Sequence, residues 1–280
     1  FDGWSDGYSA ASAYAFRVEG DDIALDAVLR SALQPDAQRI WDLFEPSGRA
    51  SVRGRVLREH GPDKKESIPL DIRLQDASMK YKNFPYPVKG LNGDLYFDGD
   101  DAVVRRLRTR EGAAWIEVSG SVRGITGDAE VDLEVDAGGL PLDARLRDAL
   151  PEKPRATYDG FAPSGAVDVH WWVRKAKGKD VETGGRARAL GNAVTWKEIP
   201  LPVTELTGEF ELDAAGAVAL RHLQGKTNGA EVEIHGTVTP ALTSLHVDAV
   251  GLTLDKEVRA ALPASLRKVV EGLRLFGTVS

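Results

Sequence analysis

Self-similarity at a spacing of about 115 residues constrains this chain more than any other feature. Three segments align. They are Gly20-Asp21-Asp22-Ile23-Ala24-Leu25-Asp26 followed by Leu29 to Pro35, Leu140-Pro141-Leu142-Asp143 followed by Leu146 to Pro151, and Gly251-Leu252-Thr253-Leu254-Asp255 followed by Val258 to Pro263. Leu33, Leu150 and Leu262 fall in register, which sets offsets of 117 and 112 residues. Ser47-Gly48, Ser164-Gly165 and Phe276-Gly277 keep both offsets. Further along, Pro85 to Asp98 answers Pro200 to Asp213, and Trp115 to Val122 answers Glu231 to Val238. Repetition of this kind marks an array in which each unit buries its apolar face against its neighbours. An array is built for extent, so the sequence points to a function carried by a long surface rather than a single catalytic pocket.

The repeats divide the chain into residues 1–19, the end of a preceding unit, then unit 1 (20–136), unit 2 (137–248) and the start of a third (249–280). On this reading the chain is an excerpt of a longer repeat protein, so the absence of a signal peptide carries no information. No apolar run approaches the roughly 20 residues that span a bilayer. Net charge is −7 with both signs interspersed, which argues against a nucleic-acid partner, since that requires a concentrated basic face. Arg105, Arg106, Arg108 and Arg110 are the densest basic cluster and read as a solvated strand face. With no cysteine there are no disulfides and no thiol chemistry.

Each unit reads as a helical piece followed by strands. Leu25, Val28, Leu29 and Leu33 recur at helical spacing, and Pro35 opens a second short helix through Ile40, Trp41 and Phe44. Leu142, Leu146 and Leu150 repeat the first helix, with a weaker pattern over 151–161, and Val258, Leu262, Leu266, Val269 and Val270 repeat it again. These amphipathic helices are expected to cap one side of a sheet, with a membrane-surface or partner-binding role as the alternative. Alternation at period two then predicts strands over 47–58, 68–80, 88–98, 102–109, 113–124 and 128–136, with turns at Gly99, Gly112, Gly127, Gly216 and Gly229. Segments 59–67 and 175–185 are charged hairpin tips, and Pro85, Pro87, Pro200 and Pro202 are expected to break pairing at an edge.

One-sided strands of this kind belong to antiparallel sheets with one dry face. Two sheets could pack as a sandwich, or one curved sheet could leave its dry face lining a trough. The dry set holds Val, Ile, Leu and Ala with few aromatics, which leans towards the trough. The expected fold is therefore mainly β with inserted helices (α+β), its tandem antiparallel repeats forming a curved, groove-like, elongated sheet. The residues expected to line the groove are Leu95, Phe97, Ile116, Val118, Val131, Leu133, Val135, Val169, Trp171, Val173, Phe210, Leu212, Val232, Ile234, Leu245 and Val247.

Val88 to Asp98, Val103 to Leu107 and Gly112 to Val122, with the second copy Leu206 to Leu212, Val218 to Leu223 and Gly229 to Val238, resemble sequences of the AsmA-like family. That family, of AsmA, TamB and YhdP type, is itself similar to the bridge-like lipid-transfer proteins. The resemblance covers about 40 residues per unit, is made of turn glycines and alternating aliphatics, and leaves out the helices. It implies a rod of β-groove modules in the periplasm or cell envelope, holding or conducting phospholipid or another acyl lipid. Neighbouring repeats of the same chain and envelope membrane proteins are the implied protein partners. It carries over no catalytic residues and no cofactor. The competing expectation is a structural or adhesin-like β-repeat stalk on the cell surface with no lipid ligand.

Single-site chemistry is sparse. Asp98-Gly99-Asp100-Asp101 has the oxygens for calcium, but its counterpart Asp213-Ala214-Ala215-Gly216-Ala217 has lost them, so a hairpin turn is expected. Gly225-Lys226-Thr227 lacks the earlier glycine of a phosphate loop. His235 and His246 read as a solvated cross-strand pair, with zinc the alternative. His170-Trp171-Trp172 is either a contact surface or local packing, and Asp21-Asp22 is expected to cap a helix. No nucleophile stands beside an obvious base, so no enzymatic activity is expected.

Overall fold

The computed structural model describes residues 2–9, 11–64, 66–215, 217–239, 241–262 and 278–279. Leu266, Lys268, Val269, Val270, Phe276 and Gly277, which entered the repeat alignment, lie outside the described residues. The chain falls into two compact units, 1–136 with 172–182, and 137–171 with 183–280, each taken here by itself.

The first unit holds β1 (Asp2–Ser5), β2 (Tyr14–Ala24), α1 (Ala27–Ala32), α2 (Pro35–Phe44), β3 (Ser47–Arg58), β4 (Leu70–Tyr81), β5 (Phe84–Asp98), β6 (Asp101–Glu111) and β7 (Ala114–Arg123). Strand β8 (Glu130–Pro141) then leads to α3 (Ala144–Ala149), α4 (Glu152–Phe161) and β9 (Ala166–Lys175). The second unit continues with β10 (Glu182–Trp196), β11 (Ile199–Asp213), β12 (Val218–Thr227), β13 (Ala230–Val238), β14 (Thr243–Val250), β15 (Leu252–Thr253), α5 (Lys256–Ala261) and β16 (Thr278–Val279).

Strands β1 to β14 hydrogen-bond in sequence order, while β15 and β16 form a separate two-stranded ladder. The predominantly β character with a few short helices agrees with the sequence. The curved groove does not: among the described residues each strand pairs only with its neighbours in the chain, and the sheet of each unit neither closes nor curls over. Local alternation determines which side chains share a face, whereas curling depends on twist and bulges accumulated over many strands.

At the prolines pairing is lost on one side of the strand, as expected, and kept on the other. Strand β5 runs through Pro85 and Pro87, with Pro87 opposite Lys80, and β11 runs through Pro202, opposite Thr195. The prolines are tolerated because they stand beside the hairpin tips, outside the β5–β6 and β11–β12 registers, which begin at Asn92 and Thr204.

Local geometry repeats with the sequence. Asp26 accepts hydrogen bonds from the amides of Val28 and Leu29 at 2.9 and 3.0 Å, and caps α1. Asp143 caps α3 through Arg145 and Leu146, and Asp255 caps α5 through Val258. These aspartates stand at the same offsets of 117 and 112 residues. Asp21 and Asp22, expected to cap, instead face Arg53 and Arg49 across the strands. Asp22, Gly139 and Gly251, again 117 and 112 apart, all take left-handed backbone, with φ of 57°, 61° and 81°. That conformation kinks the strand before it enters the helix. Downstream the Leu25 amide bonds Gly48 O at 2.9 Å, and the Leu142 amide bonds Gly165 O at the same distance.

Each unit has a small apolar core on one face. In the first, Ala50, Leu74, Ala77, Leu91 and Leu107 are buried, with Leu25, Ile72, Met79, Val88, Leu95, Val104 and Val118 packed around them. In the second, Leu206, Leu223 and Ile234 are buried among Val194, Val203, Phe210, Leu220 and Leu245.

Candidate functional site

The residues expected to line a groove are spread over β5, β7, β8, β9, β11, β13 and β14. Leu95 and Val118 pack on the first core, and Phe210, Ile234 and Leu245 belong to the second. Val232 is 4% exposed and Ile234 8%, so these positions are filled core rather than open lining. Val247 sits at the other extreme, 53% exposed on β14. Phe97, Ile116, Val131, Leu133, Val135, Val169, Trp171, Val173 and Leu212 are half-buried along their strands. An extended, uncurled sheet offers no trough in which an acyl chain could be surrounded, and this overturns the lipid-conducting reading.

One shallow, open depression of ≈ 460 Å³ lies on the opposite, wet face, lined by Ala219, Leu220, Arg221, His222, His235, Gly236 and Thr237. It forms where a register shift between Leu220 and Leu223 sets two residues of β12 against His235 of β13. His235 stands directly opposite His246 of β14, ring centroids 4.7 Å apart. His222 Nδ1 lies 2.9 Å from Glu233, and His246 Nε2 lies 3.3 Å from Asp248. The three imidazoles thus share one exposed face, two of them bonded to carboxylates. Among the described residues no group of three or more His, Asp or Glu has the geometry to hold a metal ion.

The other candidates are occupied by structural bonds. Asp100 accepts from the Thr126 amide at 2.7 Å, Asp101 from the Gly124 amide at 3.1 Å, and Asp98 from Ser67 Oγ at 3.2 Å. The carboxylates that resembled a calcium loop therefore tie neighbouring turns together. Lys226 pairs with Glu205 at 2.7 Å, and Thr227 Oγ1 donates to Pro202 O. Arg105 faces Asp71 and lies over the Tyr96 ring, while Arg106 pairs with Glu117 and Arg108 lies over Trp115. Of the tryptophan pair, Trp171 packs over Gly185, where a Cβ would come within 2.7 Å of its ring, and Trp172 lies under the Arg174 guanidinium at 5.1 Å. Both rings are engaged locally.

The most elaborate arrangement fastens the helix pairs, and it occurs twice. Arg30 of α1 makes two parallel bonds to Asp42 of α2, each 2.6 Å, and Arg147 of α3 does the same to Asp159 of α4 at 2.6 and 2.9 Å. Such forked pairing is the strong geometry for a guanidinium and a carboxylate. The hydrogen bonds from Arg30 and Arg147 hold both carboxyls below the ordinary carboxylate range. Each helix pair is then pinned to a hairpin tip. The Lys82 amide bonds Leu43 O at 2.8 Å with Phe44 stacked on Tyr81, and the Lys197 amide bonds Gly160 O at 3.0 Å with Phe161 stacked on Trp196. Sequence reasoning missed this fastening. Its signal was present, because the arginines and the aspartates each recur at the 117-residue offset.

No family model, no curated protein and no solved structure matches this chain. The AsmA-like resemblance rests on the quoted residues alone.

Proposed function

We propose that the chain is a non-catalytic β-repeat scaffold, a spacer-like segment whose contribution is surface and reach rather than chemistry. The observation that carries this is the duplicated fastening of a helix pair to a hairpin tip, inserted into strands that pair in sequence order. In such an array each unit touches only its neighbours, so stability accumulates unit by unit and length changes with little redesign. The charged wet face suits a surface kept in water. The AsmA-like resemblance enters only as a placement in the cell envelope, with neighbouring repeats and envelope proteins as partners, and cell fractionation tests that placement.

The scaffold reading is tested by altering length. Joining Ala24 directly to Leu142 removes one repeat at its natural junction, because the two flanking strand–helix boundaries are equivalent. A spacer predicts a folded, shorter chain and a graded change in the distance between the elements it joins, measured by cross-linking in the host. Total loss of function from one exposed-residue substitution, with fold and length intact, would replace the scaffold by a specific site.

A further inference from the structure

We propose that His235 and His246 bind a borderline divalent metal ion of the zinc and nickel type, which clips β13 to β14 on the wet face of the second unit. This goes beyond the scaffold reading and stands on the histidine row itself.

The row marks a difference between the two repeats. The β12–β13 register shift between Leu220 and Leu223 copies the β6–β7 shift between Val104 and Leu107, so His222 is the counterpart of Arg106, and His235 of Ser119. Gly120 and Gly236 approach the next strand alike, at Leu133 and Leu245, which makes Glu134 the counterpart of His246. The backbone is thus repeated at all three places, while the arginine, serine and glutamate of one unit are replaced by three imidazoles in the other. The Arg106–Glu117 bond of 2.9 Å returns as the 2.9 Å contact of His222 with Glu233, so His222 has a structural task. His235 and His246 are exposed and fill no core.

Neutral imidazole suits zinc, nickel and copper better than it suits the hard cations. His235 and His246 are directly opposed across the β13–β14 ladder, with ring centroids 4.7 Å apart. Directly opposed side chains leave the sheet together, so His235 can turn to share one ion with His246 while the backbone stays in place. His246 Nε2 lies 3.3 Å from Asp248. An ionised carboxylate only accepts, so this contact favours the proton on Nε2 and leaves the Nδ1 lone pair for a metal. A carboxylate behind the imidazole is the usual device for orienting a histidine ligand. Glu233 stands opposite Asp248 in the same ladder, and the two carboxylates draw cations towards the patch. The site is a pair of ligands with its other positions left to water, in keeping with the lack of a group of three among the described residues.

Zinc sulfate, and in a parallel series nickel chloride, is titrated into the 280-residue chain by calorimetry at neutral pH, with magnesium as the control cation. The expected result is saturable binding of one zinc or nickel ion per chain and no binding of magnesium, which prefers oxygen ligands. Binding should be lost in His235→Ala and in His246→Ala, and kept in His60→Ala and His170→Ala, which lie outside the patch. Asp248→Asn, which takes the carboxylate from behind His246, should weaken it about tenfold. Hydrogen exchange of the unmodified chain, read by mass spectrometry with and without zinc, should slow in β13 and β14 alone. No saturable binding at millimolar zinc or nickel, equal binding of magnesium, or binding unchanged in both His235→Ala and His246→Ala overturns the proposal. Exchange that slows elsewhere, or nowhere, overturns it too, and that measurement decides the matter even if a variant does not fold. None of these results bears on the repeat-deletion test, so the two readings fail separately.

Discussion

Arg147 grips Asp159 through two parallel hydrogen bonds, Nε to Oδ1 at 2.6 Å and Nη2 to Oδ2 at 2.9 Å, and so ties α3 to α4 across a turn of only two residues. Arg30 and Asp42 do the same for α1 and α2. Neither member of these helix pairs exceeds ten residues, a length at which an isolated helix is marginal in water. Caps, clamps and attachment to the hairpin tip supply what intrinsic helix preference cannot.

The clamps predict an acid-sensitive component of stability. Asp42 and Asp159 have carboxyls below the ordinary range because an arginine bonds the ionised form. The unfolded chain therefore takes up protons first. The contribution is complete above a pH of about 4 and is lost as pH falls through the folded-state values. The Asp42→Asn, Asp159→Asn double variant should be less stable at neutral pH and show a flatter decline in urea midpoint between pH 5 and pH 3, both values being about one unit either side of the free carboxylate range.

Removing a cap should cost a fixed, local amount. Asp143→Ala leaves the Arg145 and Leu146 amides without their side-chain acceptor and is expected to destabilise by about 1 kcal/mol, while Asp143→Ser restores most of it. Urea titration followed by far-ultraviolet circular dichroism measures both.

Two glycines in the second unit should respond very differently to alanine. A Cβ at Gly208, where φ is 122°, would lie 2.2 Å from His222 O, so strain adds to a backbone collision and the cost should exceed about 3 kcal/mol. At Gly229, φ is 79° and the space is open, which leaves only the left-handed penalty of about 1 kcal/mol. Equal losses in the two variants, by urea midpoint, would contradict the close approach of β11 to β12.

Stacking at the hairpin tip should appear as coupling. Phe161 and Trp196 have ring centroids 5.9 Å apart at 12°, and Phe44 and Tyr81 have centroids 5.2 Å apart at 25°. A double-mutant cycle to alanine at either pair should return about 0.5–1.5 kcal/mol of interaction energy. A value near zero would mean that the peptide hydrogen bonds alone hold the helices in place.

Much of the local structure was legible because it is written in short-range terms. Alternation announced the strands and Asn228-Gly229 announced its turn, whereas the capping role expected of Asp21 and Asp22 belongs to Asp26, whose repeat counterparts are Asp143 and Asp255. The positive φ at Glu205 was not legible, since glutamate does not announce such a backbone. Nor was the forked pairing of Arg30 with Asp42, which depends on how two helices turn against each other.

The amino-acid sequence by itself determined the repeat, the element order and the side of each strand that avoids water, because period, caps and turns act over a few residues. Only the tertiary structure decided what becomes of those water-avoiding sides. Whether a sheet curls around its apolar face depends on twist, bulges and pairing accumulated over many strands. Here the described strands pair in sequence order and the sheet stays uncurled, so Ile234 is filled core while Val247, opposite it on the next strand, is exposed.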